Sequence, residues 1–329
     1  MTIRHSGGSY EVHFGTLSEA FLGLPLDRRV VTDDNVAAAL GVEADLVLPP
    51  GETTKSLEAY ADAARALART RAGRRTTLVA LGGGVVGDMV GFLAASYMRG
   101  VPFIQIPTTL LAMVDSSVGG KVGIDLPEGK NLLGAFHPPV AVYVPLDALD
   151  TLPDRQIANG MAEVWKTGFI RDADLVSRLE SDRSPNRELI ERCVAHKAAV
   201  VEADEYETNG IRATLNFGHT IGHAIERFQN YEGFLHGEAI AVGMVLESRL
   251  GERLGITEKG TTERVAACLD GQGLPTFWDV PDADALIDAM RMDKKAEAGR
   301  LAFSLLDGVG SCRLWTDVPE KDVREVLKG

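Results

Sequence analysis

Cysteine is scarce in this chain: Cys193, Cys268 and Cys312 are the three in 329 residues, widely separated and in no paired motif. Such a set supports no disulfide framework and fits a reduced compartment. Basic residues are also in deficit. Lys and Arg total 34 against 47 Asp and Glu, a net charge of −13, which argues against a general affinity for nucleic acid or an anionic membrane surface. No run reaches the roughly 18 apolar residues of a membrane-spanning helix, and the opening Met1-Thr2-Ile3-Arg4-His5-Ser6 has neither the charged stretch nor the apolar core of a secretion signal. A cytoplasmic, soluble protein with no nucleic-acid or membrane partner is expected. Internal repeats and low-complexity tracts are absent too, which excludes a solenoid.

What is present points to two domains. A chain of 329 residues with 45% hydrophobic content exceeds the size at which one core grows efficiently. Its first half alternates β-branched runs with helical ones: Arg29 to Thr32, Lys55 to Ala72 at helical period, Thr76 to Leu81, Val101 to Ile106, Val140 to Val144. That alternation predicts an α/β fold with a Rossmann-like, mostly parallel sheet over residues 1–150. From Asp154 to about Lys295 nearly every segment has helical spacing, so residues 151–329 should form a mainly α-helical domain. One late pair, Arg300 to Leu306 and Ser311 to Trp315 around Asp307-Gly308, reads as a hairpin among the last helices.

Three of the seven histidines fall in eighteen residues, in Asn216-Phe217-Gly218-His219-Thr220-Ile221-Gly222-His223 and His236-Gly237-Glu238. Positions four apart share a helix face, so His219 and His223 would project together, with His236 supplied by a second helix. Two imidazoles completed by a carboxylate suit a divalent ion such as zinc. The best remote acid is Glu163, set in the apolar Met161-Ala162-Glu163-Val164-Trp165-Lys166. Gly218, Gly222 and Gly237 each weaken a helix by roughly 1 kcal/mol relative to alanine, a cost understandable if the backbone approaches a ligand closely.

A nucleotide signal lies in the first half. The strand Thr76 to Leu81 runs into Gly82-Gly83-Gly84-Val85-Val86-Gly87-Asp88 and an apolar helix, the setting in which glycines let backbone amides approach a pyrophosphate. The acid usually found about 20 residues on is replaced by Pro107-Thr108-Thr109, and Asp33 after the earlier strand could hold the ribose instead. A second glycine-rich stretch, Asp115 to Lys121 followed by Glu128-Gly129-Lys130-Asn131, reads as a mobile phosphate cradle. In so acidic a chain, Arg99, Lys121, Lys130, Lys166, Lys197, Arg212 and Lys294 all lie next to motif glycines or the histidine cluster, which implies a cationic pocket for an anionic substrate.

Assembled in order, these segments resemble the 3-dehydroquinate synthases, within the sugar phosphate cyclase group. The resemblance runs from about Pro50 to Lys295 and is carried by Pro50-Gly51-Glu52 with Lys55, Gly82 to Asp88, Tyr97 to Gly100, Gln105 to Leu111, Val114 to Lys121, Gly129 to Phe136, Gly160 to Lys166, Asn216 to His223, His236 to Glu238 and Asp293-Lys294-Lys295. It implies conversion of 3-deoxy-D-arabino-heptulosonate 7-phosphate to 3-dehydroquinate and phosphate, with catalytic NAD and one divalent metal, zinc or cobalt. The implied metal ligands are Glu163, His219 and His236; His223 then becomes a substrate histidine near the phosphate. Implied NAD contacts are Asp33, Glu52, Lys55, Gly84, Val85, Val86, Gly87, Asp88, Thr108, Thr109, Lys121, Lys130 and the stretch Ala148, Leu149, Asp150, Thr151. Implied substrate contacts are Asp115, Lys121, Asn131, Lys166, Lys197, Arg212, Asn216, His223 and Lys294, with Arg99 entering from the second subunit of a homodimer. The metal set and the nicotinamide would then face a shared cleft. Two departures are the segment from Glu207 to Arg212, one residue longer than is common, and Trp165 in place of a smaller aliphatic residue. The rivals are another sugar phosphate cyclase and a metal-dependent alcohol or glycerol dehydrogenase. The cationic set argues against the dehydrogenase, since a neutral alcohol needs no ring of Lys and Arg.

Overall fold

The computed structural model describes residues 1–293 and 300–328 and divides into two compact units, Met1–Ile157 with Asn186–Glu202, and Ala158–Pro185 with Ala203–Gly329. The first unit contains strands β1 (Thr2–His5), β2 (Gly8–Gly15), β3 (Arg28–Asp33), β4 (Leu46–Leu48), β5 (Thr77–Gly82) and β6 (Phe103–Pro107), a separate antiparallel hairpin of β7 (Lys121–Leu126) and β8 (Gly129–Phe136), and β9 (Ala141–Pro145). Its seven-stranded sheet has the order β1-β2-β9-β6-β5-β3-β4 and is parallel except for the β1–β2 pair. The mostly parallel α/β sheet expected for this half is what forms.

Local sequence explains the layering. Every residue of β5 and β6 is buried, as unbroken apolar runs are when helices cover both faces of a parallel sheet. Helices α1 (Leu17–Leu22), α2 (Asp34–Leu40), α3 (Leu57–Arg69) and α4 (Gly84–Ser96) supply the cover. Met89 and Leu93 of α4 join Leu78, Ala80 and Phe103 in one core cluster. The chain runs outward from β3 to β4, returns to β5 and then runs the other way to β6, so strand order reverses between β3 and β5. In open α/β sheets the crevice beyond the carboxyl ends at such a reversal is where ligands bind.

One feature differs from expectation. In the stretch read as a mobile phosphate cradle, Lys121 begins β7 and Gly129-Lys130-Asn131 begin β8, so these residues stand in an antiparallel hairpin with Lys121 opposite Phe136. The N-terminal segment forms the β1–β2 hairpin. Beyond the sheet come α5 (Asp154–Arg171), α6 (Ala173–Ser181), α7 (Arg187–Ala203), α8 (His219–Phe228), α9 (His236–Arg253), α10 (Thr261–Gly271), α11 (Ala283–Asp293), the β10 (Arg300–Gly308) and β11 (Ser311–Pro319) hairpin, and α12 (Glu320–Leu327). The division between units falls within α5, between Ile157 and Ala158, and most of α7 belongs to the first unit. In the second unit Ile221 and Ile225 of α8 and Val242, Leu246 and Leu250 of α9 share a core with Leu286, Met290, Phe303 and Val323. The late hairpin is present, but Asp307 and Gly308 end β10 and the turn itself is Val309-Gly310, with Gly310 at φ 94°.

No helix of the described residues is long and apolar enough to cross a membrane. The three cysteines are free, Cys193 and Cys268 being buried.

Candidate active site

Three helices of the second unit bring one carboxylate and two imidazoles together. Asn159, Glu163 and Lys166 occupy one face of α5, at the i, i+4, i+7 spacing of a helix. His219 is the first residue of α8 and His236 the first of α9. Glu163 is 1% exposed, and its Oε1 lies 3.6 Å from His219 Nε2 and 3.6 Å from His236 Nε2. These separations are too long for hydrogen bonds. They lie close to the roughly 3.4 Å that separates neighbouring ligands of a tetrahedral zinc ion bonded at about 2.1 Å. Oε1 has no hydrogen-bond partner, while Oε2 is ion-paired with Lys166 Nζ. A buried carboxylate oxygen facing two imidazole nitrogens is satisfied by a cation at their common centre, so the residues present fit a divalent ion.

The protonation states follow from the same packing. Burial, reinforced by Lys166 and the neighbouring imidazoles, holds His219 well below its ordinary pKa and therefore neutral. Its Nδ1 sits 3.2 Å from Phe217 O, which directs Nε2 at Glu163. Burial alone would raise Glu163, but the Lys166 charge and His236 outweigh it and hold the carboxyl at about 2. Burial alone would lower His236; Glu226 and Glu163 instead raise it to about 10. His236 must then lose a proton before it can ligate. Metal binding near neutral pH is expected to release about one proton per ion and to tighten about tenfold per pH unit, up to a pH of about 10. Calorimetry in two buffers of different ionisation enthalpy reads this directly, and an apparent enthalpy independent of buffer would contradict it.

His223 does not join His219. The two rings meet edge to face at 5.1 Å, and His223 Nε2 points to Glu226 Oε2 at 4.0 Å. The shared helix face of the two histidines is real, but only His219 turns to Glu163. His223, Glu226 and His236 make a second group of potential ligands that shares His236 with the first. The glycines serve helix packing rather than ligand approach: a Cβ at Gly222 would stand 2.6 Å from Ile240 Cδ1, and one at Gly237 only 2.1 Å from the Asn159 carbonyl oxygen. Arg212 is buried, its backbone N–H donating to Asp204 Oδ2 at 2.9 Å and its guanidinium to Glu205 O at 2.5 Å. Asn216 Nδ2 lies 3.5 Å from Glu207 Oε1. Lys294 lies outside the described residues.

In the first unit, the expected NAD residues other than Lys121 and Lys130, which stand in the β7–β8 hairpin, lie at or just beyond the carboxyl ends of the parallel strands. Asp33 ends β3 and caps α2 by accepting from Val36 N at 2.9 Å. Glu52 and Lys55 follow β4, and Gly84 to Asp88 open α4 directly after β5, with Val86 turned into the core. Thr108 and Thr109 follow β6; Ala148 to Thr151 lie in a short 3-10 helix after β9. Thr108 Oγ1 is buried without a hydrogen-bond partner. Lys55, 4% exposed, is held by Asp88 at 2.9 Å and by Asn131 Oδ1 at 2.7 Å, with Asp125 and Glu52 close by. Those carboxylates raise its pKa against the lowering effect of burial. Lys130 pairs with Glu52 at 3.3 Å, and Lys197 Nζ donates to Asp115 Oδ1 at 2.7 Å and to its carbonyl oxygen at 2.6 Å. Lys121 and Arg99 are exposed, Arg99 on a turn with φ of 70°. Lys55→Met would leave the half-buried Asp88 and Asp125 without the cation they share. A loss of about 3 to 5 kcal/mol is expected from the urea midpoint, together with weaker NAD binding; an unchanged midpoint would show that Lys55 does not compensate these acids.

Several residues at the site escaped the sequence reading. Glu226 stands behind His236, Asn159 Oδ1 accepts from Gly237 N at 2.6 Å, and Glu247 caps α8 by accepting from Gly218 N at 2.7 Å and Ile221 N at 3.1 Å. Glu247 is an acid in an otherwise apolar stretch of α9, the signal that had singled out Glu163, and Glu226 shares the face of α8 that carries His219 and His223.

Residues 45–159 match the family model of the 3-dehydroquinate synthase N-terminal region, and residues 160–296 that of its C-terminal region. The chain is 44% identical to the 3-dehydroquinate synthase of Acidithiobacillus ferrooxidans, covering 97% of this chain and 95% of that protein. It is 46% identical to the enzyme of Nitrosospira multiformis, covering 87% and 80%. Among solved structures, 2-epi-5-epi-valiolone synthase from Streptomyces hygroscopicus subsp. jinggangensis, with NAD+ and Zn2+ bound, superposes with a TM-score of 0.90 at 28% identity over 98% of this chain and 97% of its own. With both halves of the family pattern matched in order over most of its length, the chain belongs to the 3-dehydroquinate synthase family.

Proposed function

We propose that this protein converts 3-deoxy-D-arabino-heptulosonate 7-phosphate to 3-dehydroquinate and phosphate, by transient oxidation, phosphate elimination, re-reduction and intramolecular aldol closure without net redox. The observation that carries the reading is the convergence of Glu163, His219 and His236, at 3.6 Å from the carboxylate oxygen to each imidazole, within a chain of this family. When bound, zinc or cobalt supplies a Lewis acid that acidifies the hydroxyl to be oxidised, and NAD accepts and returns the hydride.

The chain's own residues bind, orient and neutralise. In the first unit we assign NAD to the strand ends: Asp33 to the ribose, the Gly84 to Asp88 helix start to the pyrophosphate, and Glu52, Lys55, Thr108, Thr109, Lys121, Lys130 and Ala148 to Thr151 around them. Substrate contacts in that unit fall to Asp115, Lys121, Asn131 and Lys197, the last two already oriented by hydrogen bonds. In the second unit they fall to Lys166, Arg212, Asn216 and His223, with Lys294 completing the family set. A cationic set of this kind stabilises phosphate and carboxylate as charge moves, so positioning matters more than a strong base. The enzyme works as a cytoplasmic homodimer, in which Arg99, exposed on its turn, reaches the partner's substrate.

The test is to incubate the protein with the heptulosonate phosphate, substoichiometric NAD and zinc or cobalt, and to measure phosphate. Many phosphates per NAD are expected, with no NADH left over. Stoichiometric NADH without phosphate would mean a dehydrogenase, and turnover only of glucose 6-phosphate or a heptulose phosphate lacking the carboxylate would mean another cyclase.

A further inference from the structure

We propose that Glu226 is a positioning residue of the metal centre, fixing the His236 imidazole from behind so that its Nε2 stays aimed at the point shared with Glu163 and His219. The inference rests on the ligand set above and deepens it. His236 stands between two carboxylates, Nε2 being 3.6 Å from Glu163 Oε1 and Nδ1 3.5 Å from Glu226 Oε2. An imidazole that ligates through one nitrogen needs an acceptor for the proton on the other, which sets both tautomer and ring plane. His219 meets that need with the Phe217 carbonyl, while His236 Nδ1 faces the Glu226 carboxylate.

The placement of Glu226 supports a dedicated role. It lies on the same face of α8 as His219 and His223, seven and three residues after them, and is 4% exposed between Ile225 and the helix end. Burying a carboxylate costs several kcal/mol unless a partner compensates, and an apolar side chain would continue the adjoining core at no such cost. One helix thus carries both a ligand and the support of the ligand on its neighbour. The alternative, an ion held by His223, Glu226 and His236 themselves, has the longer separation of 4.0 Å to a half-exposed His223 and leaves Glu163 Oε1 without a partner.

Glu226→Gln keeps the shape and removes the charge; Glu226→Asp keeps the charge. Zinc affinity is read by competition with a chromophoric chelator, and the coordination sphere by the visible spectrum of the cobalt form. The Gln variant should bind zinc about 10- to 100-fold more weakly with a shifted cobalt spectrum, the Asp variant should recover part of the affinity, and Glu163→Gln should lose far more than either. If circular dichroism shows the Gln variant unfolded, the Asp variant against the unaltered protein decides by the same two readings. Unchanged affinity and spectrum in the Glu226 variants would overturn the inference. So would a cobalt spectrum that survives Glu163→Gln but vanishes with Glu226→Gln, since the ion would then sit in the other group. Absence of tight zinc binding by the unaltered protein would instead overturn the ligand assignment itself.

Discussion

Glu163→Gln is expected to empty the metal centre and to lower kcat/KM by about a thousandfold or more, since a bound cation contributes several kcal/mol of charge stabilisation in the transition state. The amide retains the shape but loses the charge that faces two imidazole nitrogens and the Lys166 ammonium. Lys166 is 2% exposed, so the variant also strands a buried cation, at a cost of about 3 to 5 kcal/mol. Zinc content, phosphate release and the urea midpoint should therefore fall together. The pH dependence gives a separate check. Because the native carboxyl sits at about 2, below its unfolded value near 4.5, its contribution is fully present above 4.5 and disappears as pH falls toward 2. The stability gap between the two proteins should close over that range. A variant that keeps stoichiometric zinc would refute Glu163 as a ligand.

Gly237→Ala is the second large effect, although the residue has no side chain to contribute. A Cβ there would lie 2.1 Å from the Asn159 carbonyl oxygen and 2.9 Å from Ala162 Cβ, both on α5, and a backbone oxygen cannot swing aside. The start of α9 must retreat, breaking the 2.6 Å bond from Gly237 N to Asn159 Oδ1 and carrying His236 away from Glu163. Overpacking of this kind costs about 1 to 3 kcal/mol. The functional cost is larger, because metal ligation tolerates shifts of only about 0.2 Å and a displacement near 1 Å costs about a hundredfold in rate. We expect kcat/KM to drop by about that factor, with weaker zinc binding and a fold intact by circular dichroism. Activity within twofold of the unaltered protein would show that α9 does not need this close approach.

Much of the site could be read locally. The strand, glycine turn and apolar helix from Thr77 to Ser96 lie where their pattern puts them, and the late hairpin forms with its turn two residues beyond Asp307-Gly308, at Val309-Gly310. The β7–β8 hairpin was hidden because its glycines and lysines carry the composition of a loop, and four successive β8 residues, Asn131 to Gly134, are exposed rather than alternating. Gly237 was legible as unusual, but the backbone it touches belongs to α5, far away in sequence.

Composition and periodicity alone determined the order of the architecture, a parallel α/β half followed by helices, because both are properties of neighbouring residues, and the family resemblance grouped Glu163, His219 and His236 as the proposed metal ligands. Only the tertiary structure decided that His223 turns to Glu226 while His219 faces Glu163 at 3.6 Å, and that Glu226 backs His236; periodicity could not tell the two histidines apart. The physical reason is that four residues spacing places both histidines on one face of α8 with equal right. The choice between them is made by the carboxylates that α5 and α8 itself bury on either side.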